Sequence, residues 1–502
     1  MLAAPWDDGA AAKQLFVLVT GANSGIGLGI GQRMIDEFAA EHPTASEHLI
    51  LITTTRSAAK SKVTTDLLRE YLQLRENAAA TNRNAIHSSR IHFASLELDL
   101  CNLPSVYAAA ERLRSSPLSI YTGAETNAAS SPHKIPRLDS VIFNAGIGGW
   151  TGIGWGNLAT NVLYDGIQQA TTFPTCKAST GGLLVDPLTG KEVKHADDTK
   201  AVGDNDGVLG QVFCANIFGH YVFAHALLPL LHGTDGKKSS AIGPGPARII
   251  WESSVEAEGW HNLSLDDFQA VRTIAAYESS KRLTDVLALT AGLKSVAPYS
   301  ASFYKDDSSD EKSSDSTIVP ATYVTHPGVV CSTLFPLNWF LFALYNLAMY
   351  ISRWLGSPWH PVTAYKGAAA AVWVALRPTA ALDALDGQHV KWGTGTTRGG
   401  TTLVKRSEVE GWGFRGLVGE ETTAPTIDSV TGKAWQEGGD PLVASFPYPA
   451  YLLNSRGRKS GAANLTAERR QEFEVLGRDC WREMERLRVE WEQRVNKLKE
   501  SQ

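Results

Sequence analysis

Short, unbroken apolar runs alternate along most of this chain with longer stretches of helical period. LFVLVT follows Gln14, HLILITTTR ends at Arg56, and IHFASLELDL ends just past Asp99. RLDSVIFNAG, ARIIWESS and ATYVTHPG complete six predicted strands. Between them LGIGQRMIDEFAAE, SAAKSKVTTDLLREYLQLRENAAA, LPSVYAAAERLRSS, QVFCANIFGHYVFAHALLPLLH and YESSKRLTDVLALTAGLKSV read as helices. The strand runs are too apolar to be half-exposed, which predicts a parallel sheet buried on both faces by helices. The expected class is α/β, a doubly wound parallel sheet of Rossmann type with insertions and a C-terminal helix.

That rhythm predicts a Rossmann-type domain over 14–335. Insertions interrupt it near 118–135, 147–210 and 304–316, the first read as a surface loop. The second contains LTGKEVKHADDTKAVGDNDG, read as a flexible excursion. Residues 336–400 read as an apolar flap and helix, and 401–463 as an irregular extension. Residues 464–502 read as a charged helix. There Phe473, Leu476, Cys480, Met484, Leu487, Trp491, Val495 and Leu498 recur at three- and four-residue steps. Docking on the protein's own body is the expectation; a partner-binding or coiled-coil role is the alternative.

Composition narrows the picture. The 502 residues are 43% hydrophobic, enough for a large core. A formal net charge of −5 leaves no basic excess for a general nucleic-acid binder. Five scattered cysteines lack metal-ligand spacing and suit free thiols in a reducing compartment. The opening residues MLAAPWDDGAAAKQ have no apolar signal core, so the chain is expected to face the cytosol, with no metal site.

Thr20-Gly21-Ala22-Asn23-Ser24-Gly25-Ile26-Gly27 lies directly between a strand and a helix. Glycines there permit a tight turn and bring N–H groups close to a pyrophosphate at the helix N-terminus. The second strand ends Thr53-Thr54-Thr55-Arg56, without the acid that would bind a ribose 2′-hydroxyl. A guanidinium suits a 2′-phosphate, so NADP(H) is the expected cofactor. Asp99 is placed to accept from an adenine amino group. Asn144, Ala145 and Gly146 leave room for the cofactor over the sheet edge.

Tyr277 and Lys281 are four apart on a predicted helix and share one face. An ammonium beside a phenol favours phenolate, lowering the tyrosine pKa, and such a tyrosine can protonate a carbonyl oxygen. The ordered set of glycine turn, Asn-Ala-Gly, serine, Tyr-x-x-x-Lys and Pro327-Gly328 resembles the short-chain dehydrogenase/reductase family over about 14–335. The resemblance implies Tyr277 as proton donor and Lys281 as the residue that tunes it and binds the nicotinamide ribose. It implies a serine on the substrate carbonyl and Asn216 in a water-mediated relay. Pro327, Gly328, Val329 and Ser332 would pass near the carboxamide. Ser254 is the expected serine, because a strand end is better fixed than a loop. Ser253 beside it and Ser264 in NLSLDDFQAVR remain open.

Val329 to Ser352 carries no charge and is rich in Trp, Phe, Leu and Tyr. Its length could span a bilayer, but Pro336, Asn338 and Asn346 interrupt it. A flap dipping into one leaflet is the expectation, a buried core helix the alternative. Arg353-Trp354-Leu355-Gly356-Ser357-Pro358-Trp359-His360, W-E-S-S, L-S-L-D-D-F-Q before Y-E-S-S-K-R, and the Tyr164-Asp165-Gly166-Ile167 insertion resemble fungal 3-ketosteroid reductases of sterol biosynthesis. The resemblance implies reduction by NADPH of the C3 ketone left by sterol C4 demethylation, on the way to ergosterol. It implies a place at the endoplasmic reticulum membrane and lipid droplets, the catalytic domain facing the cytosol. Partners would be the C4-demethylation enzymes and the upstream cyclase. Reduction of another lipophilic ketone, or a mainly scaffolding role in a sterol-enzyme complex, are the competing readings.

Overall fold

The computed structural model describes residues 4, 6, 13–79, 87–123, 131–193, 207–231, 240–257, 259–305, 319–331, 337–419, 426–428, 434–435, 458–459 and 461–501. Its core is a sheet whose parallel strands run in the spatial order Ile91–Glu97, Glu47–Thr55, Lys13–Thr20, Ser140–Phe143, Arg248–Glu252, Ala321–His326 and Lys391–Thr396. Strand order reverses between Lys13–Thr20 and Ser140–Phe143, which lie side by side in register Val17↔Ser140. That reversal opens a crevice at the carboxyl ends, where sheets of this kind bind ligands.

Successive residues of the first strand face opposite sides. Phe16 and Leu18 join a core with Leu103–Ser115, residues 211–226 and the helix Ala276–Thr290. Leu15, Val17 and Val19 join a second core with Gly25–Glu41, Ala58–Ala79 and Ala369–Leu376. Helices thus cover both faces, and Glu47–Thr55 is buried at every position, as its unbroken apolar run requires.

The sheet does not stop at the sixth predicted strand or at residue 335. Lys391–Thr396 adds a parallel seventh strand and Thr402–Ser407 an antiparallel eighth, so the catalytic unit extends past the boundary read from the sequence. KWGTGT conceals a strand because glycine is depleted in strands. Gly393 is there because a Cβ would lie 2.2 Å from His326 Nε2. Residues 118–135 are not wholly a surface loop: Leu118–Thr122 forms a strand between Ile91–Glu97 and the edge strand Ser131–His133, with Leu118 and Ile120 buried. The long helix after Gln211 is broken by a π-turn at Cys214–Phe218. Within 147–210, the helices Trp155–Tyr164 and Gly166–Thr172 and short strands take shape. Residues 124–130, 194–206 and 306–316 of the predicted insertions, most of 420–457, and Ser332 lie outside the described residues.

The helix Ala467–Glu500 docks on the body, as its stripe predicts. Phe473, Cys480, Trp481, Met484, Leu487, Trp491 and Val495 are buried, and Trp481 Nε1 donates to Leu287 O at 3.1 Å. The apolar stretch is a helix only over Trp339–Trp354, and Met349, Ser352 and Arg353 are its buried residues. Among the described residues no helix is long and apolar enough to cross a membrane.

Candidate active site

A cleft of about 640 Å³ occupies the crevice. At one end is the turn Gly21 to Gly27. Gly21 has φ +67°, and a Cβ on Gly27 would lie 2.3 Å from Gly21 O, so the chain folds back on itself only with glycine. Asn144 Nδ2 donates to Thr20 O at 3.0 Å, pinning this turn to the fourth strand. Thr20 Oγ1 accepts from the N–H groups of Asn144 and Ala145 at 3.0 and 3.1 Å. Its own proton is therefore directed to His220 Nε2, 2.9 Å away. Burial pushes His220 down to about 3, so the ring is neutral and its Nδ1–H is free to donate to Asn216 O at 3.2 Å. Ser24 caps the helix Gly25–Glu41 without a side-chain bond, leaving the first-turn N–H groups without that acceptor. Ser24, Gly25 and Ile26 line the cleft beside Asn23, whose Nδ2 donates to Ser24 Oγ at 3.3 Å. This cradle fits a pyrophosphate.

Arg56 and Lys60 stand exposed at the cleft rim beyond the end of the second strand. Sequence reasoning found Arg56 and missed Lys60, which lies in the first turn of the helix Ala58–Ala79, although either can reach an anion. Asp99 lines the cleft, its Oδ1 accepting from Cys101 N at 3.0 Å. Ala145 and Gly146 line it too, and a Cβ on Gly146 would lie 2.8 Å from Asn216 Oδ1.

Tyr277, half-buried, and Lys281, buried, reach the opposite end of the cleft from the helix Ala276–Thr290. The lowered tyrosine pKa expected from Lys281 does not hold here. Burial pushes the phenol up to about 12, a hydrogen bond from Ser254 opposing this, with the Glu278 and Glu252 carboxylates adding to the rise. Lys281 Nζ is turned away, donating to Glu252 O at 2.7 Å and lying 5.8 Å from the Tyr277 ring centroid. Its own pKa is drawn down to about 8 by burial, against the pull of Glu252 and Asp285.

Of the three serines, Ser254 is the one near enough to the Tyr277 phenol to oppose the rise in its pKa, and its Oγ accepts from Glu256 N at 3.2 Å. Ser253 lines the cleft but its hydroxyl goes to Lys281 O at 3.3 Å. Ser264 is exposed and caps the short turn Leu265–Asp267 through Asp266 N. Asn216 sits in the π-turn, Oδ1 accepting from Ile147 N at 2.7 Å and Nδ2 donating to Ile147 O and Ser280 Oγ, both at 3.0 Å. Its side chain clamps the loop after the fourth strand to the Tyr277 helix. Pro327 lines the cleft. Gly328 turns the chain at φ +67° and Val329 is buried, its N–H donating to Trp359 O at 2.6 Å.

Three further residues escaped the sequence reading. Glu252 ends the fifth strand in the cleft; burial pushes its carboxyl up to about 7, Thr325 Oγ1 donates to Oε2, and Oε1 is buried without a hydrogen-bond partner among the described residues. Lys177, from the insertion, pairs with Glu256 and Glu278 and sits 5.1 Å from the Tyr277 ring centroid. Trp150 packs on Tyr277 with centroids 4.8 Å apart. Glu252 stood in the W-E-S-S run; for the two insertion residues no period or spacing signalled a return to the tyrosine.

A parallel sheet of this strand order, with a glycine cradle at one end of its crevice and a Ser-Tyr-Lys set at the other, defines a short-chain dehydrogenase/reductase. No family model matches the chain. It is 41% identical over 497 residues to the 3-keto-steroid reductase ERG27 of Gibberella zeae, covering 97% of this chain and 96% of that one. To the 3-keto-steroid reductase erg27 of Aspergillus fumigatus it is 39% identical, covering 96% and 94%. The chain belongs to the 3-keto-steroid reductase family. A solved salutaridine reductase of Papaver somniferum is 15% identical with a TM-score of 0.36, covering 73% of this chain and 96% of that one, too distant to inform the site.

Proposed function

We propose that this protein reduces the C3 ketone of 4-demethylated sterol intermediates to the 3β-alcohol with NADPH, in ergosterol formation. The observation that carries the reading is a single cleft with Tyr277 and Lys281 at one end and Arg56 and Lys60 at the other. The glycine cradle takes the pyrophosphate and the two cations the 2′-phosphate, which NADH lacks. NADPH, when bound, supplies a hydride to the carbonyl carbon. Ser254 holds the carbonyl oxygen by hydrogen bonding, and Tyr277 gives that oxygen its phenolic proton as negative charge develops there. A phenol pushed up to about 12 carries its proton at neutral pH, the form that reduction requires. Lys281, its ammonium held by the Glu252 carbonyl, resupplies the phenolate through a relay water that passes the loop fixed by Asn216. Tyr277→Phe tests this: turnover of 3-keto sterols falls about 10²- to 10⁴-fold while NADPH still binds. Full activity in that variant overturns the reading.

We infer further that the protein works at the endoplasmic reticulum membrane and lipid droplets, facing the cytosol. The helix Trp339–Trp354 supports this by exposing Trp339, Phe340, Leu344 and Leu347, and it packs on the insertion helix Gly166–Thr172. The preceding helix exposes Leu163 and Tyr164. Aromatic and aliphatic side chains presented together suit a lipid surface. Association with C4-demethylation enzymes and the cyclase rests on the family resemblance.

A further inference from the structure

Lys391 lies on the seventh strand, far in sequence from the catalytic set, yet its ammonium reaches the serine. Lys391 Nζ donates to Ser254 O at 2.7 Å and to Asp285 Oδ2 at 2.7 Å. Both side chains of this ion pair are 1% exposed. Asp285 is four residues beyond Lys281, one turn along the same helix, so one cation joins the serine loop, the tyrosine helix and the last parallel strand. Among the described residues the other bond to the Ser254 carbonyl is a long one, from Ala257 N at 3.3 Å. Glu252, Lys281 and His326 complete the charged and titratable surroundings; burial holds His326 well below its ordinary range, and Lys391 adds to that effect.

A buried ion pair is a poor stabiliser compared with apolar residues of the same volume, so its presence beside the site calls for another role. We propose that Lys391 is a positioning residue for ketone reduction: by gripping the Ser254 carbonyl against Asp285, it fixes the Ser254 hydroxyl against the Tyr277 phenol. The proposal rests on the reading of Ser254 as the residue that holds the substrate carbonyl. A serine released from this grip rotates its loop, and a displacement of an ångström at a reacting group lowers turnover without weakening cofactor binding.

Three variants of the full-length enzyme, and their combinations, test it. K391M/D285L removes both charges and the donor to Ser254. K391Q/D285N removes the charges but keeps an amide N–H for the Ser254 carbonyl. S254A reports on the serine itself. With a 3-keto sterol, K391M/D285L is expected to lower kcat about tenfold with the KM for NADPH unchanged, and K391Q/D285N to stay within about threefold of the parent. Added to S254A, K391M/D285L should cost less than about twofold more, since residues acting through one group are not additive. Parent kcat in K391M/D285L, or its full tenfold loss repeated on S254A, overturns the proposal. Should the apolar pair not fold, K391Q/D285N decides alone, a tenfold loss there being fatal to it. Full activity of S254A would instead overturn the reading of Ser254.

Discussion

Lys281 Nζ donates to the main-chain carbonyl of Glu252 at 2.7 Å, and the Glu252 carboxyl is buried in the same cluster. Burial draws Lys281 down to about 8 and pushes Glu252 up to about 7, each partner tempering the other's shift. In the proposed mechanism the Lys281 ammonium resupplies Tyr277, and that ammonium is present below about pH 8 and lost above it. The kcat/KM for ketone reduction should therefore fall as pH rises through about 8. Glu252→Gln removes the carboxylate that holds Lys281 up, so the falling limb should move to lower pH. A pH–rate profile checks both; a shift to higher pH in the variant contradicts the assignment. The limb belongs to the coupled pair rather than to Lys281 alone.

Arg56 and Lys60 make the cofactor preference a matter of two exposed cations. Arg56→Ala should raise the KM for NADPH about tenfold and leave that for NADH nearly unchanged. The ratio of the two KM values is the measurement, because a general fold defect would move both together. Raised ionic strength should shrink the difference, since exposed charges are screened.

Much of this site was legible because its parts are local. The glycine turn, Arg56, Asn144 and the Tyr277–Lys281 pair lie at strand ends or one helical turn apart, where apolar period and spacing declare them. What was hidden depends on chain returning from a distance. Lys391 sits in a glycine-containing strand without the usual β-branched run, and Lys177 and Trp150 reach Tyr277 from an insertion with no period of its own. The direction of the Tyr277 shift was misread for a related reason. Spacing places Lys281 on the same helix face but does not reveal that its ammonium is taken by the Glu252 carbonyl, and burial then dominates.

The C-terminal helix is part of the core. Trp481 is 3% exposed, packs on Tyr221, Phe303 and Tyr304, and gives its Nε1–H to Leu287 O on the tyrosine helix. Trp481→Ala should destabilise the protein by about 3–5 kcal/mol. A lower midpoint in chemical denaturation, with an unchanged KM for NADPH in the folded enzyme, is the expected result. Deleting 464–502 should go further and leave insoluble protein, because a stripe of apolar side chains loses its cover.

Phe340, Leu344 and Leu347 recur at steps of four and three on the helix Trp339–Trp354, with Trp339 beside them, 83% exposed. The opposite side, carrying Met349, Ser352 and Arg353, is buried against the body. A helix anchored by one face and apolar on the other can seat its outer side at the headgroup–acyl boundary without crossing it. Each large apolar side chain removed from water there contributes about 1.5–3 kcal/mol when fully buried, so several together suffice for reversible binding. The triple variant W339S/F340S/L347S should therefore lose flotation with phosphatidylcholine vesicles while keeping its kcat on detergent-dispersed 3-keto sterol. These side chains are exposed and bear no core load, so thermal stability should stay within a degree or two of the parent. Unchanged flotation of a folded triple variant would overturn the proposal that this helix binds lipid.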